Sequence, residues 1–370
     1  MTIVKLFSNC IPVKGFHRSI IYDLQRPTES NVIPNDLYEI LIHSQNKTIE
    51  EICTEYQHKY DDIIMDYFEF LINNEFAYDF QENEVGNFPP INMVWKSPST
   101  VTNSIILLPR NKLCEIKSIL QQLSGLRCDA IQICLIDKTY IEDIIFIGEQ
   151  LNDLRVLSVE ILLNNFANID LSSLGEFLLK YPRIQYVGIG NVAFNVENIT
   201  DKLHTFSEPI DFNCGCGKIS IDFFTINIEC FTESQCHNTC LNHKICIDAE
   251  GNIKNCPVMA KSYGNIKDTT LEEAINKPGF KDLWYICKDQ IDVCKDCEFR
   301  HLCTDCRAFI KDPENIYSQP AKCTYNPYIC LWEGQDGYVP VEECGTYSRE
   351  TGFVPNKKKI AKLNKMIWGE

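Results

Sequence analysis

Four cysteines stand close together near the C-terminal end of the sequence. The run "CKDCEFRHLCTDC" begins at Cys294; two residues separate the members of each cysteine pair, and five separate the pairs. A zinc ribbon also uses two such pairs, but about 15 to 20 residues apart, so that two turns meet at one tetrahedral ion. Denser runs are typical of ferredoxins, where one cysteine serves a second cluster. The spacing favours iron–sulfur ligation, with zinc and unligated or disulfide-bonded thiols as the alternatives.

The cysteines are distributed unevenly along the chain. Of the 20 cysteines, five lie in the first 213 residues, mostly in apolar surroundings, where we expect plain buried side chains. The N-terminal stretch lacks a basic segment followed by a long apolar core, and no run of 18 apolar residues occurs elsewhere. We therefore expect a cytoplasmic chain that does not cross a membrane. Reduced thiols in that compartment favour metal over disulfides.

The composition restricts the classes of partner and reaction. A chain of 370 residues is long enough for two or three domains. Its 35 Lys and Arg against 51 Asp and Glu give a formal charge of -16, so nucleic acid is not expected as a partner. The sequence has no GxGxxG, P-loop, GxSxG or HExxH motif. Apart from the cysteines, nothing points to a reaction.

The first part of the sequence predicts a small α+β unit. Apolar stretches indicate three short strands, around Ile3–Phe7, Ser19–Leu24 and Val32–Ile33. Three helical patterns follow, in "PNDLYEILIHSQ", "TIEEICTEY" and "DDIIMDYFEFLINNE", the second opening with Thr48 and Glu51 at capping-box spacing. Three prolines between residues 82 and 98 then indicate a linker.

The middle of the sequence alternates between apolar strands and amphipathic helices. The strand patterns "NSIILL", "DAIQICLI", "VLSVEILL" and "IQYVGIG" are separated by helical ones, which predicts βα repeats around a parallel sheet, open or partly closed like part of a barrel. The stretch "KISIDFFTINIE", residues 218–229, also alternates and predicts added edge strands. From Cys230 to Cys344 the core pattern is thin, so we expect ligated metal to order that region.

Further cysteines flank the dense run. Upstream, "CLNHKICIDAEGNIKNCP" contains Cys240, Cys246 and Cys256, and its "DAEGNIKNCP" part predicts a hairpin turn in which Gly251 takes a positive φ and delivers Cys256 to the site. Downstream, Cys323 follows the run after sixteen residues.

This cysteine pattern resembles the SPASM domain, the C-terminal extension of many radical SAM peptide and protein maturases. The segments "NTCLNHKICID", "GNIKNCPVM" and "CEFRHLCTDCRAF" are similar to the subgroup that works with ATP-grasp peptide ligases, the grasp-with-SPASM maturases. The strong likeness covers residues 230 to 335. It implies a winged-helix-like leader-peptide recognition domain at 1–82, a partial radical-SAM-type β/α barrel at 99–229, a SPASM iron–sulfur domain at 230–345 and a tail at 346–370.

The resemblance implies two auxiliary [4Fe-4S] clusters and their ligands. The first cluster would be held by Cys240, Cys246, Cys256 and Cys306. The second would be held by Cys294, Cys297, Cys303 and Cys323. The last interval of the run is one residue shorter than is common in the family, and Cys246 lies only four residues before Gly251. Alternatives to Cys246 are Cys236, Cys230 and Cys214, and Cys330 competes with Cys323; Cys216, Cys287 and Cys344 are expected to be structural thiols.

The cysteine motif that binds the catalytic SAM cluster is missing. The expected loop, "LLPRNKLC", contains one cysteine instead of CxxxCxxC, and the nearest approach to the motif is Cys236, Cys240 and His243 in "CHNTCLNH". We therefore do not expect SAM to be a cofactor.

The resemblance also implies a function and partners. It implies maturation of a ribosomally synthesised peptide alongside an ATP-grasp ligase, with the precursor's leader held between an edge strand at Glu29–Ile33 and a helix at Asp61–Asn74. The chain would be either an enzyme that uses its clusters or a non-catalytic adaptor with structural clusters. The third hypothesis is a protein-binding module whose loops are cross-linked by zinc.

Overall fold

The computed structural model describes residues 2–26, 30–81, 84, 89–167, 171–192, 200–212 and 215–369. Their contacts divide the chain into two compact units, each assembled from separate stretches of sequence. The first unit comprises Met1–Trp95, Ile219–Thr239 and Ile286–Glu370; the second comprises Lys96–Lys218 and Cys240–Tyr285. The domain boundaries expected at residues 82, 99, 230 and 345 stay predictions.

The N-terminal part of the first unit contains two small antiparallel sheets and three helices. The strands are β1 (Thr2–Leu6), β2 (Cys10–Lys14), β3 (Arg18–Asp23), β4 (Ser30–Pro34) and β5 (Ala77–Gln81), and the helices are α1 (Asn35–His43), α2 (Ile49–Glu55) and α3 (Asp61–Asn73). Strand β3 pairs with β2 and β4, and β1 pairs with β5. The three predicted helices are confirmed, and α2 begins at the predicted capping box, in which the Thr48 side chain accepts from the Glu51 N–H.

The edge of the three-stranded sheet is attached to the helices through a shared core. Ile33 of β4 is buried in the same apolar cluster as Ile64, Phe68 and Leu71 of α3. The neighbouring Val32 is 44% exposed. Strand β4 is the edge strand expected near Glu29–Ile33, although Glu29 itself lies outside the described residues.

The second unit is built on a seven-stranded sheet in the order β10-β9-β8-β7-β6-β11-β12. Its strands are β6 (Asn103–Leu108), β7 (Ala130–Leu135), β8 (Ser158–Leu163), β9 (Ile184–Ile189), β10 (Leu203–Thr205), β11 (Lys244–Ile247) and β12 (Ile253–Lys254), and its helices are α4 (Ile116–Gly125), α5 (Ile141–Gln150), α6 (Leu171–Lys180) and α8 (Leu271–Ile275). All neighbouring strands are parallel except β11 and β12. The prediction of βα repeats around a parallel sheet is therefore confirmed, and the chain is a mixed α/β protein.

The edge strands predicted at residues 218–229 were wrong. This stretch contains a 3₁₀ helix at Ile221–Phe223 and the start of α7 (Ile228–Ser234). The side-chain Oδ1 of Asn227 accepts from the Cys230 N–H at 2.7 Å, which caps the new helix. The alternating apolar pattern of this stretch is compatible with a strand or with these helices. Asn227, an N-cap residue in the middle of the pattern, starts a helix here.

The C-terminal part of the first unit has a small apolar core. It contains β13 (Tyr325–Asn326), β14 (Leu331–Trp332), β15 (Gly345–Ser348), β16 (Gly352–Pro355) and α9 (Lys357–Trp368). Val293, Tyr328, Ile329, Phe353 and Ile360 are buried together. Apolar packing therefore orders part of the region in which the sequence showed little core pattern. Among the described residues, no helix has both the length and the apolar character needed to cross a membrane.

Candidate metal centre

Four of the predicted cysteines line one cavity in the first unit. Cys294, Cys297, Cys303 and Cys323 line a narrow cavity of about 20 Å³, with apolar residues such as Val293 forming other parts of its wall. Tight local turns bring the first three together: the Cys297 N–H donates to the Cys294 carbonyl at 3.0 Å, and the Cys303 N–H donates to the Phe299 carbonyl at 3.2 Å. These are the four residues that the resemblance implies for the second cluster.

Burial disfavours the thiolate form of the four cysteines in this cavity. Burial raises the pKa of Cys294 to about 11, although Lys288 acts in the opposite direction. Burial also raises the pKa of Cys297, Cys303 and Cys323, and the neighbouring thiols add to the rise. Since only thiolates bind metal ions strongly, loading the cavity must release protons.

A lysine side chain reaches into the same cavity. The Nζ of Lys288 lies 3.3 Å from the Cys303 sulfur and 4.0 Å from the Cys294 sulfur. A short 3₁₀ helix, Lys288–Gln290, fixes its position. Its side chain is 5% exposed, so the ammonium group has lost nearly all of its water.

Positive charge exceeds negative charge around this lysine. Asp305 Oδ1 lies 2.7 Å from Arg307 and 3.8 Å from Lys288, and all three side chains are buried. Asp305 Oδ2 accepts from the Asn238 amide at 2.6 Å. Among the described residues, Asp305 is the one carboxylate within ion-pair distance of either cation. Two buried cations therefore share one buried anion, which favours a further negative charge in the cavity.

Cys330, the alternative to Cys323, lies outside the cavity lining. Its sulfur contacts the Pro327 carbonyl at 3.7 Å. Burial and the nearby carboxylate of Glu298 raise its pKa to about 12. The structure thus brings Cys323 to the other three cysteines and gives Cys330 a separate environment.

A second group of thiols forms in the second unit around Lys244. The Nζ of Lys244 lies 3.6 Å from the Cys240 sulfur. Burial lowers the pKa of Lys244, but Cys240 and Cys256 outweigh this effect and raise it. The thiol of Cys256 is hydrogen-bonded to that of Cys216, and this contact raises the pKa of Cys256. Three thiols and one ammonium group therefore lie close together.

The remaining cysteines implied for the first cluster have different surroundings. Cys246 lies inside β11, fully buried in the sheet, and burial raises its pKa. Cys306 is buried in the first unit. Of the alternatives to Cys246, Cys236 is exposed, Cys230 is half-buried on α7, and Cys214 lies outside the described residues.

His243, the third position of the near-miss SAM motif, has a structural role in the second unit. Its Nδ1 lies 2.8 Å from the Ser99 carbonyl oxygen, and its ring lies 4.8 Å from that of Trp284. Burial lowers its pKa.

Sequence reasoning missed three features of these sites. Cys216 was expected to be a structural thiol, yet it contacts Cys256; the glycines around it in "NCGCGK" were a signal of a close backbone approach. Asp305 and Arg307 directly flank Cys306 and were visible as charges inside a cysteine run. Lys288 had no signal beyond its place after Cys287, because the contact depends on the fold.

Zinc sites and iron–sulfur clusters require different placements of their donor atoms. Within the part of the chain that the structure describes, no group of three or more His, Cys, Asp or Glu side chains is placed to hold a metal ion. A tetrahedral zinc site needs its donors at one bond length from one point, whereas the thiolates of a [4Fe-4S] cluster bind different irons. Four thiols spread around one cavity are the donor chemistry of the latter. No protein-family model and no curated protein matches this chain.

Proposed function

We propose that this chain is an iron–sulfur protein of peptide maturation. It holds [4Fe-4S] clusters through its C-terminal cysteines, binds the leader of a ribosomally synthesised precursor and acts alongside an ATP-grasp peptide ligase. In this proposal residues 1–82 are the winged-helix-like recognition domain, the parallel sheet belongs to a partial radical-SAM-type barrel, and residues 230–345 form the SPASM domain. The order of the parallel strands β6 to β9, with a helix after each of the first three, supports the barrel part.

One observation carries the proposal: four thiols line one cavity, and so does the buried Lys288, which shares its carboxylate partner Asp305 with the buried Arg307. Cys294, Cys297, Cys303 and Cys323 supply the four thiolates that such a cluster needs. The thiolates would balance the unmatched charge of Lys288 and Arg307 beside Asp305. An ordinary apolar core needs neither feature.

The chain's own residues prepare this site for loading. A bound cluster would supply one-electron chemistry or a fixed cross-link between loops. The turns of residues 294–303 hold the first three sulfurs around the cavity, and apolar side chains such as Phe299 and Trp332 separate it from water. Lys288 lowers the pKa of Cys294 and Cys303, which assists the loss of their protons.

Peptide recognition is supported by the outer edge of the three-stranded sheet, beside which the described residues place no further strand. Strand β4 pairs with β3 on one side, and its Val32 side chain is exposed. On α3, Tyr60, Ile63 and Met65 are exposed at or near the start of the helix. An extended leader would pair with the strand through its main chain and place apolar side chains against the helix.

Iron and sulfide analysis of the full chain tests the proposal. We expect anaerobically prepared protein to contain about eight irons and matching acid-labile sulfide. Cys297→Ala should lower the iron content, whereas the matched variant Cys330→Ala, which removes a buried thiol outside the cavity, should retain it. Stoichiometric zinc without sulfide in the wild-type protein, or equal iron in both variants, would reject the proposal.

A further inference from the structure

The ammonium group of Lys288 lies closer to sulfur than to its carboxylate partner. Its Nζ is 3.3 Å from Cys303 Sγ but 3.8 Å from Asp305 Oδ1. Arg307 takes the shorter contact to the same Oδ1, at 2.7 Å, and Asn238 occupies Oδ2. Asp305 therefore keeps the lysine nearby without drawing it away from the thiol.

A buried ammonium group at this distance acts on the charge of whatever the thiols hold. One-electron reduction of a thiolate-bound cluster adds one negative charge, and an external low-potential one-electron donor supplies the electron. A cation beside a ligand sulfur stabilises the more negative state, most strongly where water is excluded. Hydrogen bonds to the sulfurs act in the same direction.

We propose that Lys288 sets the reduction potential of the centre held by Cys294, Cys297, Cys303 and Cys323, by hydrogen bonding to the Cys303 sulfur and placing a buried positive charge beside it. This inference rests on the proposed iron–sulfur function. It assigns to Lys288 a task that a purely structural cross-link does not require. Asp305 moderates the effect, because its negative charge partly cancels that of the lysine.

The thiol group of the second unit repeats this arrangement in a weaker form. Lys244 Nζ lies 3.6 Å from the Cys240 sulfur, farther than Lys288 Nζ lies from the Cys303 sulfur.

Redox titration of the full-length, anaerobically prepared protein tests this inference. The protein is titrated with dithionite and followed by electron paramagnetic resonance, after the iron content of each variant has been measured. Lys288→Met should shift one midpoint potential to a more negative value, and Lys288→Arg should restore most of the wild-type value. Asp305→Asn should shift the same signal in the opposite direction. The control is Lys295→Met, which removes a partly exposed lysine from the same run and should leave the potential unchanged.

The outcomes separate the two proposals. Wild-type protein without iron would overturn the proposed function and this inference with it. Iron-loaded variants that all keep the wild-type potential would overturn the inference alone. If Lys288→Met fails to take up iron, the midpoint potentials of Lys288→Arg and Asp305→Asn are compared with that of the wild type. An unchanged potential in Asp305→Asn overturns the inference.

Discussion

Arg18 and Glu298 form an ion pair across 280 residues of sequence, with Arg18 Nε 2.7 Å from Glu298 Oε1. The Glu298 side chain is fully buried, and the Tyr325 hydroxyl donates to the same oxygen at 2.6 Å. Tyr22 of β3 donates its hydroxyl to the Glu298 carbonyl. Because Glu298 directly follows Cys297, the N-terminal sheet helps to fix the backbone of the candidate metal site.

Removing Arg18 should destabilise the protein strongly. Arg18→Met leaves the Glu298 carboxylate buried without its cation, which costs about 3 kcal/mol of unfolding free energy. Lys14→Met in the same hairpin breaks an exposed pair with Glu39 and should cost far less. Urea denaturation measures both. Adding Glu298→Gln to Arg18→Met should recover part of the loss, and equal costs for the two single variants would contradict the pair's importance.

Gly251 is predicted to be essential to the turn that carries Cys256. Its φ is +91°, and a Cβ there would meet Ile266 Cγ1 at 3.0 Å. Gly251→Ala should therefore destabilise the protein by more than about 1 kcal/mol. At Gly125, the last residue of α4, an added Cβ meets nothing within 4 Å, so Gly125→Ala should be neutral or stabilising. Thermal unfolding compares them; a shift of the same sign and size in both would argue against the turn.

The acid stability of the protein should depend on Asp23. Burial raises the pKa of this carboxyl, but Arg26, the Gln25 N–H and Asn9 outweigh burial and hold it below 3.8. The unfolded chain therefore binds this proton more readily. The stabilisation is complete above pH 3.8 and is lost as the pH falls through the lower folded-state value.

Asp23→Asn should make the decline of unfolding free energy in acid shallower and cost about 2 kcal/mol at neutral pH. Asn9→Ala, which removes one donor at 2.6 Å, should give an intermediate slope. Denaturant titrations between about pH 5 and pH 2 measure both slopes. A variant slope identical to that of the wild type would show that other carboxyls dominate.

The protein is predicted not to cleave SAM reductively. No stretch of the sequence offers CxxxCxxC, and His243 of the nearest approach contacts the Ser99 carbonyl. Incubation with SAM and dithionite should yield no more 5′-deoxyadenosine than a control without protein. Product above that background would restore the enzyme reading and make Cys236 and Cys240 the first residues to substitute. Its absence favours the adaptor reading.

Leader binding should depend on the backbone of β4. Val32→Pro removes a main-chain donor from the edge strand and should weaken binding of a cognate leader by at least about tenfold. Val32→Thr keeps the donor and the branched shape, so it serves as the control. Isothermal titration of the full chain measures affinity, and iron content should not change in either variant. Unaltered affinity in Val32→Pro would exclude this edge.

The elements that could be predicted from sequence are those whose causes are local. Strands β6 to β9 were predicted because their apolar runs are bounded by amphipathic helices, and α2 because Thr48 and Glu51 stand at capping-box spacing. The turn at Gly251 was predicted because glycine takes a positive φ, here +91°, without strain.

The features that could not be predicted depend on distant contacts. Strand β11 has four residues, and its parallel pairing with β6 joins segments about 140 residues apart. That pairing places Cys246 inside the sheet, which cysteine spacing alone does not reveal. The contact of Lys288 with Cys303 likewise depends on how two loops fold. The spacing of lysines and cysteines in the sequence does not predict it.

The division of the first unit into three separate stretches has a consequence for biosynthesis. When residues 1–95 leave the ribosome, their partners in residues 286–370 have not yet been translated. Arg18 and Tyr22 therefore lack their partner Glu298 until the seven-stranded sheet of the second unit has been translated. Because the contacts between these stretches form late, folding is slow. Apolar surface of the incomplete unit meanwhile stays accessible to chaperones and prone to aggregation. Removing C-terminal residues would therefore destabilise the N-terminal part of the first unit. The protein should be expressed as the full chain.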